Sequence, residues 1–161
     1  MKHFVARTFQ IPLFGYEQHQ VTSDDYYTPP SIFESLGIEF DLDVCAPRGG
    51  VPWIPAARHF SIEDDGLAQP WEGKVWMNPP YSGPGPWVKR FIQHGDGVAL
   101  VPITRSAALR DIWDSEAKLL YAPIDLKFVR EGELQRITWP TILVGFGIEC
   151  AKALENMGNA R

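Results

Sequence analysis

Residues 78 to 81 read Asn-Pro-Pro-Tyr, and they follow the short apolar run Val75-Trp76-Met77. Proline fixes its own φ and restrains the residue before it, so two in a row hold the backbone stiffly. Neither Pro79 nor Pro80 carries an N–H, so the segment offers bare carbonyls, the amide of Asn78 and the ring of Tyr81 at fixed positions. A planar ligand bearing an amino group suits such a corner. The Asn78 side-chain oxygen and the Pro79 carbonyl could each accept one of its two N–H hydrogens. Tyr81 could stack on its ring.

Methylation of an aromatic amine needs such partners. The lone pair of an exocyclic amine is delocalised into the ring and is a poor nucleophile. Two acceptors draw its hydrogens out of plane and push the nitrogen toward tetrahedral geometry. They also stabilise the positive charge that builds as a methyl group arrives. What remains is in-line positioning of the two reactants.

The elements around this corner follow from local pattern. "SDDYYTPPSIFESLG" reads as a loop and then a helix, with Pro29 and Pro30 in its first turn and Gly37 as its stop. Residues 38–46 alternate and then run apolar, as a strand does. Residues 47–60 are loop-like, and Arg58 to Ile62 fit a short strand. Lys74 to Met77 is a strand, 86–95 a helix with Trp87, Phe91 and His94 on one face, and 97–103 a strand buried on both faces. Helix 106–116 and strand 118–124 follow, and the tail 152–161 is a short helix or a frayed end. Segments 125–130 and 137–148 look like an antiparallel pair around a polar loop. Strands alternating with helices and closing on such a pair give an α/β domain with a mostly parallel sheet. Ligands of such sheets sit outside the carboxyl ends of the strands. Three strand ends carry unusual chemistry and would gather at one rim: Asp43-Val44-Cys45-Ala46-Pro47, Asn78 to Tyr81, and Pro102-Ile103-Thr104-Arg105.

The bulk numbers fit this picture. A chain of 161 residues, 45% hydrophobic and 22% charged, suits a single compact domain over 1–161. Residues 1–20 show no period and read as a loose N-terminal arm or an edge strand. The longest apolar runs reach about eight residues against the roughly 20 of a spanning helix, so no membrane partner is expected. The N-terminus lacks the apolar core of a signal peptide, and the expected location is cytoplasmic. Cys45 and Cys150 make no disulfide framework, and with His3, His19, His59 and His94 they show no metal spacing. The net charge of −5 argues mildly against a tight electrostatic grip on nucleic acid. Fields follow the arrangement of charge, however. Lys89, Arg90, Arg105, Arg110, Lys127, Arg130 and Arg136 are either a DNA-facing patch or scattered surface charge. Of the tryptophans, Trp53 is the one expected at the surface.

The ordered set "DDYYTPPSIFESLG", "FDLDVCAPRGG", "EDDGLAQPW", "VWMNPPYS" and "ALVPITRS", over residues 24 to 106, resembles the small phage and prophage DNA adenine N6-methyltransferases of the Dam type. The resemblance implies a Rossmann-like methyltransferase domain that uses S-adenosylmethionine and flips an adenine of DNA into the Asn-Pro-Pro-Tyr pocket. It further implies a phage- or prophage-encoded enzyme, monomer or homodimer, acting in a bacterial host, with protection of phage DNA from restriction as a plausible role. By it, Asn78, Pro79, Pro80 and Tyr81 form the catalytic segment. Tyr27, Thr28 and Pro29 lead a helix past the methionine part of the cofactor, with Asn78 also in contact. Asp43 is the acidic residue of the cofactor loop, and Asp64 or Asp65 reads the amino group of the cofactor's adenine. Arg105 and Ser106 are candidates for contacts to DNA.

Two departures stand out. Ala46-Pro47-Arg48 intervenes before Gly49-Gly50, where the usual loop has closely spaced glycines just after the strand. No acidic residue lies between Gly50 and Phe60 to meet the cofactor ribose. Plainer readings also stand: Asp43 as a turn cap, Thr28-Pro29-Pro30 as a helix start, Asp64-Asp65 as a solvated turn. Two other functions share the motif or the fold. One is methylation of the side-chain amide of glutamine in proteins, which the acidic charge suits. The other is a catalytically degenerate module that binds DNA or a phage partner, for which the altered glycine loop argues.

Overall fold

The structure, a computed structural model, describes residues 24–159; the arm read at 1–20, with His3 and His19, lies outside them. In chain order the elements are α1 (Pro30–Leu36), β1 (Phe40–Asp43), β2 (Ala56–His59), β3 (Val75–Met77), α2 (Gly85–His94), β4 (Gly97–Pro102), α3 (Ala107–Trp113), β5 (Lys118–Tyr121), β6 (Lys127–Arg130), β7 (Glu133–Arg136), β8 (Thr141–Phe146) and α4 (Ile148–Asn159).

Local chemistry sets the element ends. Pro30 starts α1 where its missing N–H costs nothing, and Gly37 stops it at φ 63°, its N–H donating to the Phe33 carbonyl at 2.9 Å. Gly95 closes α2 in the same way, at φ 74°.

Six strands form one sheet in the order β2-β1-β3-β4-β8-β5. β1 is parallel to β2 and β3, and β3 to β4, while β8 runs antiparallel to both β4 and β5. Alternation along the strands divides the core. Trp76, Val98, Leu100 and Leu143 face one side, with the buried stripes of α1 (Ile32, Phe33, Leu36) and α4 (Cys150, Ala153, Leu154). Val75, Met77, Ala99, Val101, Ile142 and Val144 face the other, with Val88 and Phe91 of α2 and Ile112 of α3. Helices therefore cover both faces, which is why β3 and β4 are apolar at every position.

The closing strands differ from expectation. Segment 125–130 does not pair with 137–148. β6 pairs with β7 in a separate two-stranded hairpin, turning at Glu131-Gly132 with φ 52° and 79°, the sign of φ a two-residue hairpin turn needs. β8 instead inserts between β4 and β5. Its apolar run needs cover on both faces, which a hairpin at the periphery cannot supply. The short strand read at 58–62 is 56–59. Trp113, not Trp53, is the exposed tryptophan, at 62%.

The strand order places the functional rim. From β1 the chain moves outward to β2 and then returns to lay β3 on the other side of β1. The strand order reverses between β1 and β3, and open α/β sheets bind ligands in the crevice outside the carboxyl ends at such a point.

Candidate active site

Asp43 ends β1, and Asn78 follows the last residue of β3. The two ends are tied together: the Cys45 thiol donates to the Asn78 backbone carbonyl at 3.1 Å. Asp43 is buried, and one of its carboxylate oxygens accepts from the Cys45 N–H at 3.3 Å. It is thus a turn cap at the rim of the crevice. Burial pushes its carboxyl up to about 7, against the opposing pull of the Cys45 N–H. Burial, followed by the neighbouring Asp43, pushes the Cys45 thiol well up, so it stays protonated as a donor.

The Asn78 amide is polarised by its surroundings. Its Nδ2 donates to the Tyr26 carbonyl at 3.0 Å. Its Oδ1 is buried and accepts from no described residue. The Pro79 carbonyl likewise takes no hydrogen bond from the described residues, whereas that of Pro80 accepts from Gly83 at 3.2 Å. Two acceptors thus lack a partner among the described residues, on a corner that two prolines stiffen.

A strap over residues 24–28 crosses this corner. Asp24 accepts from the Ser82 N–H at 3.0 Å and the Ser82 hydroxyl at 2.6 Å. Tyr27 and Val129 of β6 exchange both backbone hydrogen bonds at 2.8 Å. Thr28 is buried, its carbonyl accepting from Trp53 Nε1 at 2.8 Å, and Pro29 precedes α1. Burial, with Asp25 adding to it, raises the Tyr27 hydroxyl above its ordinary value.

Aromatic rings wall the corner. Tyr26 meets Phe128 and Trp139 edge-on at 6.4 and 6.3 Å, and Tyr81 meets the same two rings at 6.5 and 6.2 Å. The Tyr81 hydroxyl lies 3.5 Å from the Leu100 carbonyl, a long contact, and burial keeps it protonated. Arg130 donates to the Tyr26 hydroxyl at 2.8 Å and lays its guanidinium over that ring at 4.9 Å. Among the described residues, five buried side-chain polar atoms lack a hydrogen-bond partner. Four of them belong to this shell: Thr28 Oγ1, Asn78 Oδ1, Arg130 Nε and Trp139 Nε1. Such atoms are rare and costly, and four of the five gather at this one corner.

Other sequence candidates fall differently. Asp64 is exposed, and its carboxylate accepts from the Ser61 N–H at 2.7 Å and hydroxyl at 2.9 Å, which lowers its pKa. It is a cap within its own turn. Asp65 beside it stands at φ 51° with its carboxylate unengaged among the described residues. Ser106 caps α3, accepting from the Leu109 N–H at 3.3 Å, and Arg105 is exposed beside it. The third rim segment faces α3 and forms no hydrogen bond to Asn78 or Asp43. Gly49 and Gly50 adopt φ 81° and 74° in a turn closed by Gly50 N–H to Pro47 O at 2.9 Å. A side chain at Gly50 would meet the His59 ring, so the displaced glycines let the loop lie on β2.

The basic residues do not form one patch. Arg90 is pinned to the Leu67 and Gln69 carbonyls and lies over Trp71, Arg110 pairs with Asp114, and Arg130 turns inward. Tyr26, Arg130, Phe128 and Trp139 were not among the sequence candidates for the corner. The pairing of Tyr27 with Val129 that gathers them has no local pattern.

Comparison with known proteins bears on this arrangement. A family model described as DNA N-6-adenine-methyltransferase (Dam) matches residues 17–108. The DNA N-6-adenine-methyltransferase of Haemophilus phage HP1 (strain HP1c1) is 36% identical over 74 residues, covering 43% of this chain and 41% of that protein. The match thus spans about two-fifths of the length of that curated relative.

Proposed function

The chain belongs to the DNA N-6-adenine-methyltransferase (Dam) family, and we propose that it transfers a methyl group from S-adenosylmethionine to the N6 amino group of adenine in DNA. The observation that carries this reading is the state of Asn78: Nδ2 is engaged by the Tyr26 carbonyl while the buried Oδ1 is open, next to the open carbonyl of Pro79. An amine with two N–H hydrogens satisfies both acceptors at once.

The residues at the crevice fit the cofactor. Thr28 supplies a buried hydroxyl without a partner, and Asp43 a buried carboxyl at the switch point. Tyr27, Thr28, Pro29, Asp43 and Asn78 would hold it, with one acidic residue of the 61–69 turn. Of the two candidates there, Asp65 keeps both carboxylate oxygens open, while Asp64 is committed to Ser61. When bound, S-adenosylmethionine supplies a methyl group on a positively charged sulfur.

The chain's own work is positioning and electrostatics. Asn78 Oδ1 and the Pro79 carbonyl accept hydrogen bonds from the two N6 hydrogens, localise the lone pair and face the positive charge that grows on N6 until one of its protons leaves. Tyr81 and Trp139 wall the flipped base. Stacking of about 1–3 kcal/mol per base offsets the few kcal/mol that leaving the duplex costs. DNA reaches the corner across the hairpin. There Lys127 and Arg136 stand directly opposite each other, exposed and without an ion pair among the described residues. Like charges in cross-strand register destabilise a ladder, and a phosphate backbone relieves them.

The test is the fate of the methyl group. The protein is incubated with methyl-labelled S-adenosylmethionine and unmethylated DNA, and the DNA is digested to nucleosides. Label in N6-methyladenine is expected. Label in a cytosine, or only in protein glutamine, would overturn the substrate. Absence of cofactor binding would leave a non-catalytic module.

A further inference from the structure

We infer that Tyr26 and Arg130 are positioning residues that fix which end of the Asn78 amide faces the substrate, an inference that rests on the reading of Asn78 just given. An asparagine amide has two ends of nearly the same shape and opposite chemistry. Only the oxygen can accept from an amine, and a flipped Asn78 would present a second donor to a donor. The selector is the Tyr26 carbonyl. It can only accept, so it holds Nδ2 at 3.0 Å and leaves Oδ1 as the end without a partner among the described residues. A flip would set two oxygens against each other there and leave Nδ2 buried without an acceptor.

The selector works only if that carbonyl stays in place, and the structure fixes the Tyr26 residue from several sides. Tyr27 and Val129 form an antiparallel bridge. Side chains alternate across such a pair, so Tyr26 and Arg130 stand opposite each other on one face, with Phe128 diagonal. On that face Arg130 donates to the Tyr26 hydroxyl at 2.8 Å and covers its ring at 4.9 Å. The rings of Phe128 and Trp139 meet Tyr26 edge-on, at interplanar angles of 89° and 88°. Arg130 is half-buried and has no carboxylate partner among the described residues. Its described polar contact is this tyrosine, 104 positions away in sequence. A half-buried cation spent on a neutral ring serves placement of that ring better than stability. The hairpin therefore reaches the reacting amine indirectly, through Arg130, then Tyr26, then the amide of Asn78.

The test is single-turnover methyl transfer to DNA, with cofactor and DNA affinities and melting temperature measured alongside. The variants are Arg130→Met, which keeps the stem and removes the charge, and Tyr26→Phe, which removes only the hydroxyl and serves should Arg130→Met not fold. Each is expected to slow transfer by about tenfold with both affinities within about twofold, and Arg130→Lys to recover part of the loss. The discriminating readout is a background change. In Asn78→Asp the side chain presents oxygen at both ends, so orientation no longer matters, and there Arg130→Met should cost less than about twofold. An equal penalty in both backgrounds would assign Arg130 to general structure and overturn the inference. So would an undiminished rate in the asparagine background. If the unaltered protein labels adenine and Asn78→Ala does not, while Arg130→Met and Tyr26→Phe keep full rate, this inference fails and the proposed function stands. If the unaltered protein labels no adenine, both fail.

Discussion

The substitution Asp43→Asn should stabilise this protein at alkaline pH and leave its stability unchanged in acid. Asp43 is 4% exposed, and its carboxyl is pushed from 3.8 up to about 7, chiefly by burial. Below pH 3.8 the carboxyl is protonated folded and unfolded, and it costs nothing. Between 3.8 and about 7 the folded state holds a proton that the unfolded state has released, so stability falls as pH rises. The slope is about 1.4 kcal/mol per pH unit, and the full difference comes to about 4 kcal/mol above pH 7. The amide that replaces the carboxyl does not titrate, and its oxygen can still accept from the Cys45 N–H, as Asp43 does at 3.3 Å. Urea unfolding of the ligand-free protein, followed by tryptophan fluorescence from about pH 4 to 8, gives the difference directly. The gain should be near zero at the acid end, grow through about pH 5 to 7 and level off at a few kcal/mol. A gain that does not change with pH, or a variant less stable than the parent at the alkaline end, would refute the reasoning. On the cofactor role proposed for Asp43, the same variant should bind S-adenosylmethionine more weakly at alkaline pH in a calorimetric titration.

Further expectations concern the hairpin and the wall. Trp139→Ala removes a ring that lies 6.2 Å from Tyr81, and DNA affinity measured by fluorescence anisotropy should fall by about 5- to 150-fold, the worth of one base stack. Lys127→Ala combined with Arg136→Ala should lower the slope of log affinity against log salt by about 2, with the rate at saturating DNA little changed.

The corner itself was legible because its chemistry is local. Two prolines after a short apolar run announce a stiff turn whatever the rest of the chain does, and the turn does follow β3. Pro30 and Gly37 likewise framed α1, since caps act within a turn of the helix. What surrounds the corner was not legible. Tyr26 meets Asn78 across 52 positions and Arg130 across 104, and no periodicity reports contacts of that range. The closing strands misled for a related reason. β6, β7 and β8 are all plausible hairpin partners by local pattern, and only competition for the doubly covered place beside β4 sends β8 into the sheet. The turn at Asp64, by contrast, has a local signature. A serine three residues ahead of an aspartate is a turn-capping pattern, and Ser61 takes up the Asp64 carboxylate.

Everything proposed for the reaction depends on Asn78 Oδ1 as the acceptor that faces the amine. The most direct test is the single-turnover rate of Asn78→Ala at saturating cofactor and DNA. The rate should fall by about 10²- to 10³-fold, as for loss of one aligned hydrogen-bond partner of a transition state, with both affinities held within a few-fold. A variant that methylates adenine at the parent rate would contradict that role for Asn78.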